Sequence, residues 1–327
     1  MVLDDIHSLL GGDFERTRAL IGDAVGSDIA LLQQTNDSIL SHGGKMIRPM
    51  LSLLCARACS DGPLGDESHR VAAASELLHN ATLLHDDVAD EGTCRRGVPT
   101  VAAELGNAAS VLVGDFWLVK AMNTIVSLKE RRDRYVNVFS KTLLDLAEGE
   151  IFQLQKAQTG DTSQEDYFRI IYCKTASLFE ASCVGGALSV SAPEQMEQAV
   201  RRYGERLGLA FQVRDDILDY VGSEHLGKPA GSDLKEQKIT LPLLGALLKV
   251  DDGKQRMVRQ MVCDIHSHPD NRERILDFVQ SYDGVAFAQA SLQALVDEAV
   301  QALSDLRDGE AKRALVELAR FTASRDN

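Results

Sequence analysis

Apolar residues repeat at three- and four-residue spacing through nearly every segment of this 327-residue chain, and no run alternates apolar with polar residues over strand length. Val71, Ala74, Leu77, Leu78, Ala81 and Leu84 form one such series. Thr100 can cap a helix start, and apolar residues then dominate to Leu128, with a soft point at Gly106 and Asn107. Ser163 followed by Asp166 makes a capping signal for a helix running toward Val190. Pro193 separates that helix from one continuing to about Tyr220. A loop with Gly, Lys and Pro spans 222–237, and further amphipathic helices follow from Thr240, broken near His268 and Pro269 and at Gly284. There is no low-complexity linker and no solenoid repeat. The expected architecture is all-α, a single domain over 1–327.

Composition narrows the function. Hydrophobic residues make up 44% of the chain and charged residues 26%, enough for a sizeable core. The net charge of -14 argues against nucleic acid, whose phosphates call for a basic face. It leaves room for small phosphate ligands, because a local Lys and Arg cluster can reverse the sign inside a cleft. The six cysteines form no CxxC pair and no zinc-ligand spacing, and read as reduced thiols. The first residues are acidic where a signal peptide needs basic ones, and no stretch approaches the roughly 20 apolar residues of a membrane span. The expectation is a soluble cytoplasmic protein.

Two aspartate clusters carry the chemistry. Asp86, Asp87 and Asp90 lie in LLHDDVADEGTCRRG; Asp215, Asp216 and Asp219 lie in FQVRDDILDY. Positions i and i+4 of a helix share a face, roughly 6 Å apart, so Asp86 points with Asp90 and Asp215 with Asp219. Like charges so placed repel unless a cation sits between them. Carboxylate oxygens suit magnesium, which keeps waters and shares its other positions with substrate phosphates. One acidic helix end is as well explained by solvation; two, each beside a strongly apolar segment, are not. The cations available to a diphosphate are Lys45 and Arg48 behind two glycines, Arg95 and Arg96 after the first cluster, Lys174 with Thr175 in an apolar helix, and Lys228 and Lys238. Taken singly, most of these are surface residues. Lys174 is the exception, since a buried amine needs a partner.

The strings GGKMIRP, ELLHNATLLHDDVADEGTCRRGVPT, VLVGDF, CKTASLF, GLAFQVRDDILDY and GKPAGSDLKEQKITLP occur in one order over about Gly43 to Pro242. Together they resemble the trans-type polyprenyl diphosphate synthase family, in its octaprenyl and solanesyl branch. The resemblance implies an isoprenoid-synthase-type helical bundle around a central active-site cavity, and a homodimer. It implies that Asp86, Asp90 and Asp215 bind magnesium directly, with Asp87 and Asp219 at or around the metals, and three ions when diphosphate is bound. Asp216 joins the catalytic set. Arg95, Lys174, Thr175, Gln212, Lys228 and Lys238 would hold an allylic diphosphate; Lys45, Arg48, His79 and Arg96 would hold isopentenyl diphosphate. His79 stands seven residues, about two turns, before Asp86 and so shares its face. Met46 departs from the pattern, standing where many relatives carry a second basic residue, and the final SRDN gives no clear basic closing element.

Product length is read from the face of the Asp86 helix that leads away from the metals. Ala81 and Thr82 are small, Leu78 and Leu77 come next, and Ala74 and Ser75 leave the path open, at about 5.4 Å per turn. Trp117 on another helix is a candidate floor, though ordinary core packing explains it as well. A long-chain product is expected. Three other readings are a geranylgeranyl or farnesyl diphosphate synthase, a terpene cyclase or head-to-head synthase, and a non-catalytic subunit of a heteromeric synthase. The DDILD form of the second motif and the separate Lys45, Arg48 and Arg96 set stand against the cyclase. Retention of both acidic motifs stands against the subunit.

Overall fold

The computed structural model describes residues 2–222 and 230–325. Helices dominate it: α1 (Val2–Leu10), α2 (Gly12–Ala24), α3 (Ala30–Ser41), α4 (Ile47–Ala58), α5 (Asp66–Ala89), α6 (Val101–Leu105), α7 (Asn107–Val126), α8 (Arg132–Thr159), α9 (Gln164–Ile171), α10 (Ser177–Ser189), α11 (Glu194–Val221), α12 (Ser232–Lys235), α13 (Leu241–Leu247), α14 (Asp252–Cys263), α15 (Asn271–Ser281), α16 (Gly284–Ala302) and α17 (Glu310–Ser324). The expected breaks fall where the sequence puts them. Thr100 Oγ1 accepts from Ala103 N–H at the start of α6, and Gly106 separates α6 from α7. Ser163 and Asp166 form a complete capping box at α9. One feature escapes the periodicity: a single wide π-turn, Tyr172–Ala176, links α9 to α10. A second is a short antiparallel pair, β1 (Cys94–Arg95) and β2 (Val98–Pro99), with Cys94 opposite Pro99. Strands of two residues are too short to show alternation.

The chain clusters into two compact units. One comprises Met1–Lys141, Leu178–Arg201 and Leu303–Glu317; the other comprises Thr142–Ser177, Arg202–Ala302 and Leu318–Asn327. Helical periodicity gives no mark of this division, because four of its five borders fall inside helices, α8, α10, α11 and α17.

The first unit is organised on α5, which packs most extensively on α7 and next on α2 and α4. Val71, Ala72, Ala73, Ala74, Ser75, Leu77, Leu78, Ala81 and Leu84 are all buried. A helix apolar on nearly every side needs neighbours on nearly every side, and each leucine buried this way contributes roughly 1.5–3 kcal/mol. Contrary to the sequence expectation, α7 is long and apolar enough to cross a membrane, by length and composition. Packing on α5 accounts for its buried face only, since 33% of that apolar window is buried. Trp117 on α7 is fully buried, and its indole N–H donates to Asn36 Oδ1 on α3 at 2.9 Å. In the second unit α13 is buried at every residue, with Pro242 in its first turn, and packs chiefly on α16.

The closest backbone approach in the first unit is at Gly186 on α10, where an added Cβ would overlap the carbonyl of Ser52 on α4. Gly186→Ala is therefore expected to force the two helices apart at a cost of about 1–3 kcal/mol, seen as a lower thermal midpoint. An unchanged midpoint would show that the contact can relax freely.

Candidate active site

In the first unit, Asp86 is half-buried on α5, Asp90 is exposed at its C-terminal end, and Asp87 is buried. The rotation of about 100° per residue explains the split: Asp86 and Asp90 share a face, and Asp87 turns away. Arg95, on β1, donates through Nε to Asp87 Oδ1 at 2.8 Å, with Nη2 also 2.8 Å from that oxygen. Arg96 takes a left-handed conformation (φ 52°), and its Nη1 donates to the carbonyl of His42 at 3.3 Å. Its guanidinium lies so close to Gly44 that a Cβ there would collide with it. The second glycine of GGK thus admits Arg96 to the loop carrying Lys45. Met46 begins α4 in the left-handed region, and the Arg48 guanidinium rests over the Phe179 ring at 4.8 Å. Burial, and then Arg48, Arg96 and Arg95, hold the His79 imidazole well below its ordinary pKa, so it is neutral at neutral pH.

In the second unit, α11 presents Asp215 and Asp219 while Asp216 is 3% exposed. Tyr167 Oη donates to Asp216 Oδ2 at 2.6 Å, and Gln212 Nε2 donates to Asp216 Oδ1 at 2.9 Å. Thr175 Oγ1, in the π-turn, donates to Gln212 Oε1 at 2.8 Å. Lys174, in the same turn, donates from Nζ to Glu150 Oε1 at 2.6 Å and to Gln153 Oε1 at 3.1 Å. The partner its setting demands is thus supplied by α8. Gly149 makes this possible: a Cβ there would stand 2.6 Å from the Cys173 Cβ. Asp219 accepts from Ser232 N–H at 2.9 Å, from the Ser232 hydroxyl and from Asp233 N–H at 3.2 Å, fastening the start of α12 to α11. Burial raises Asp216 to about 7 and Asp233 to about 8, with the neighbouring carboxylates adding to both. Lys238 pairs with Glu236, and Lys228 lies outside the described residues.

A model of the family described as Polyprenyl synthetase matches residues 29–279. The chain belongs to the polyprenyl synthetase family. It is 39% identical to the octaprenyl diphosphate synthase of Escherichia coli, over 100% of both chains. Among solved structures it is similar to a decaprenyl diphosphate synthase from Rhodobacter capsulatus, at 32% identity and a TM-score of 0.91, with 99% of each chain covered. It is equally similar to a Caulobacter crescentus polyprenyl synthase complexed with calcium and isoprenyl diphosphate, at 33% identity and a TM-score of 0.91, covering 99% of this chain and 98% of that one. The protein is accordingly a prenyltransferase of isoprenoid biosynthesis with the all-α isoprenoid-synthase fold.

Polyprenyl synthetases are generally magnesium-dependent, and the residues present fit such an ion. Among the described residues, no three His, Cys, Asp or Glu side chains gather as they would around a bare ion. Asp86 and Asp90 instead keep exposed surface in the first motif, and in the second Asp215 stays 41% exposed beside Arg325 while Asp219 is held by Ser232 and Asp233, which suits a cation that completes its shell with phosphate oxygens and water. Crowding of Asp215, Asp216, Asp219 and Asp233 leaves negative charge that a cation would relieve.

Sequence reading missed Tyr167, Glu150, Gln153 and Asp233. Asp233 lay in view inside the GSDLKEQK string; the others carry no signal until the helices pack. The end of the chain needs correction. Although SRDN shows no basic cluster, Arg325 closes on the second motif: Nη2 donates to Asp215 Oδ1 at 2.5 Å and to the Phe211 carbonyl at 3.0 Å. Its guanidinium stacks 3.8 Å from the Phe211 ring centroid, and its own carbonyl accepts from Arg214 Nε at 2.8 Å. One arginine sufficed because stacking and two helical acceptors hold it. Arg325→Ala is expected to lower stability by about 1–3 kcal/mol, the range for a hydrogen bond to a charged group plus lost packing. Chemical denaturation measures it, and a loss below about 0.3 kcal/mol would show that the pair contributes nothing.

Proposed function

We propose that this chain condenses an allylic diphosphate with successive isopentenyl diphosphates to give a long-chain all-trans polyprenyl diphosphate. One observation carries the reading. Each unit holds its own cluster of cationic and polar side chains along with its own acidic motif: Arg48, Arg96 and His79 near the GGK loop in one, Lys174, Thr175 and Gln212 around the π-turn in the other. Two such sets suit two diphosphate substrates, whereas a cyclase needs one. The relatives reported above, matched over the whole chain, support a long product and support treating 1–327 as one catalytic entity.

In this reading Asp86, Asp90, Asp215 and Asp219 hold magnesium. When bound, the metal supplies Lewis-acid stabilisation of charge on the departing diphosphate. Lys174, Thr175, Gln212, Arg95, Lys228 and Lys238 orient the allylic diphosphate and stabilise the same charge from fixed positions. Lys174, held by Glu150 and Gln153, would turn its third N–H to a phosphate oxygen. Lys45, Arg48 and Arg96 neutralise isopentenyl diphosphate, and neutral His79 adds a hydrogen bond without further charge. The double bond of isopentenyl diphosphate attacks the allylic carbocation, and the proton then lost passes to the released diphosphate. No nucleophilic side chain is needed. An apolar wall such as Leu77, Leu78 and Ala81 keeps water from the cation.

We further propose a homodimer formed through α7, which exposes Val111, Leu112, Val119 and Val126. Such a stripe favours burial against a second copy.

One preparation tests these points. The purified chain alone, with magnesium, farnesyl diphosphate and excess isopentenyl diphosphate, should yield octaprenyl or longer diphosphates on chromatography, and should scatter light as a dimer. Geranylgeranyl diphosphate as the end product would overturn the chain length. Turnover only after addition of a second protein would favour the subunit reading, and a monomer would remove the α7 proposal.

Ala81 is 1% exposed, one turn and more from Asp86 on α5. If this face lines the product path, Ala81→Phe should shorten the product by several isoprene units and leave turnover within about tenfold, the scale of a modest packing cost. An unchanged product would show that the path runs elsewhere.

A further inference from the structure

Tyr167 is a buried polar side chain of the second unit to which the reaction above gives no part. It sits on α9, 2% exposed, with its ring edge-on to Phe168 at 5.3 Å. A phenol buried this deeply requires a hydrogen-bond partner, and the one it has is Asp216, at 2.6 Å. That bond opens a continuous chain: Tyr167 to Asp216, Asp216 from Gln212, and Gln212 from Thr175, with lengths of 2.6, 2.9 and 2.8 Å. Each link has one direction. Asp216 Oδ1 accepts from Gln212 Nε2, which turns the Gln212 carbonyl toward the Thr175 hydroxyl. The orientation of Thr175 is thereby set from the far end, by the phenolic hydroxyl.

The chain also joins separate elements. Asp216 and Gln212 are on α11, Thr175 and Lys174 are in the π-turn, and Tyr167 is on α9. A phenylalanine at 167 would fill the same space and leave Asp216 Oδ2 without a donor. The carboxylate would then rotate, and Gln212 and Thr175 would follow.

We propose that Tyr167 is a positioning residue for the allylic diphosphate, acting through Asp216 and Gln212 on Thr175. The proposal rests on the reading that the π-turn holds that diphosphate. It assigns Tyr167 no contact with substrate or metal.

Tyr167→Phe tests it. Loss of one hydrogen bond to a carboxylate corresponds to roughly tenfold or more in an equilibrium constant. The KM for farnesyl diphosphate should therefore rise about tenfold, and so should the Kd of farnesyl diphosphate with magnesium, measured by calorimetry without isopentenyl diphosphate. The KM for isopentenyl diphosphate should stay within about twofold, because none of its groups belongs to this hydrogen-bond chain. Asp216→Asn alone should show the same pattern, and Tyr167→Phe should add less than about twofold in that background. Four results would overturn the proposal: farnesyl diphosphate constants unmoved in Tyr167→Phe, an equal rise in the isopentenyl diphosphate KM, effects of the two substitutions that multiply, or, should Tyr167→Phe not fold, an Asp216→Asn variant with unaltered farnesyl diphosphate binding. Lys174→Ala separates the underlying reading. If it too leaves farnesyl diphosphate binding unmoved, the π-turn is not the site; if it weakens binding where Tyr167→Phe does not, only the positioning role fails.

Discussion

Clustered carboxylates inside an apolar helical frame repel one another, and the fold has to hold them against that repulsion before any cation arrives. Both acidic motifs solve this in the same way. The middle aspartate, Asp87 or Asp216, turns inward and is satisfied by protein donors: Arg95 for one, Tyr167 and Gln212 for the other. The flanking aspartates, spaced i and i+4, share another face: Asp86, Asp90 and Asp215 keep exposed surface there, while Asp219 also fastens the start of α12. A DDxxD string on a helix thus sets its second aspartate apart from the i, i+4 pair, because 100° of rotation separates neighbours. The anchors differ in kind. Arg95 brings a full positive charge to Asp87, whereas Asp216 receives neutral donors and lies beside Asp215, Asp219 and Asp233, so its carboxyl is held in a raised range.

That difference bears on where cations are needed. The first motif has Arg95 and Arg96 directly after it in sequence, and the hairpin of β1 and β2 folds Arg95 back onto Asp87. The second motif is followed more distantly in sequence by Lys228, outside the described residues, and by Lys235 and Lys238. Arg325 reaches it from far along the chain, stacking on Phe211 and pairing with Asp215. In each case a guanidinium is chosen, whose planar fork can bond a carboxylate and a second acceptor at once.

How much of this the sequence discloses follows from the range of each interaction. Helix borders were legible because caps act within three residues: Thr100 on Ala103, Ser163 with Asp166, and Gly106 as a break. The aspartate motifs were legible because helix geometry alone makes i and i+4 neighbours. The two-residue strands gave no periodic signal, and the π-turn at Tyr172–Ala176 was hidden because one wide turn shifts the apolar repeat by a single residue. Tyr167 and Glu150 reach their partners across 49 and 24 positions of sequence, the latter by subtraction of 150 from 174, and no local pattern encodes such a meeting. Arg325 is illegible for a related reason. A run of basic residues is visible in a sequence, whereas the fold needs one residue at a fixed distance from Phe211.

The π-turn shows why a locally unfavourable feature persists. Its hydrogen bonding is poorer than that of an α-helix, and such turns recur at functional sites. Here it lets Thr175 face Gln212 on α11 and Lys174 face Glu150 on α8, two consecutive residues committed to different helices. A regular helix would also set consecutive residues apart, but Gly149 brings α8 against the turn backbone itself, with the Lys174 amide nitrogen 3.3 Å from where a Cβ would be. The long lysine side chain is then held at both acceptors, Glu150 and Gln153, before any ligand binds. Ordering a free lysine on binding costs about 0.5–1.5 kcal/mol of lost rotamer freedom, and a side chain already fixed by two protein acceptors has met most of that cost in folding. The turn's weaker backbone bonding is thus offset by preorganisation of the two side chains that the proposed reaction asks to meet the allylic diphosphate.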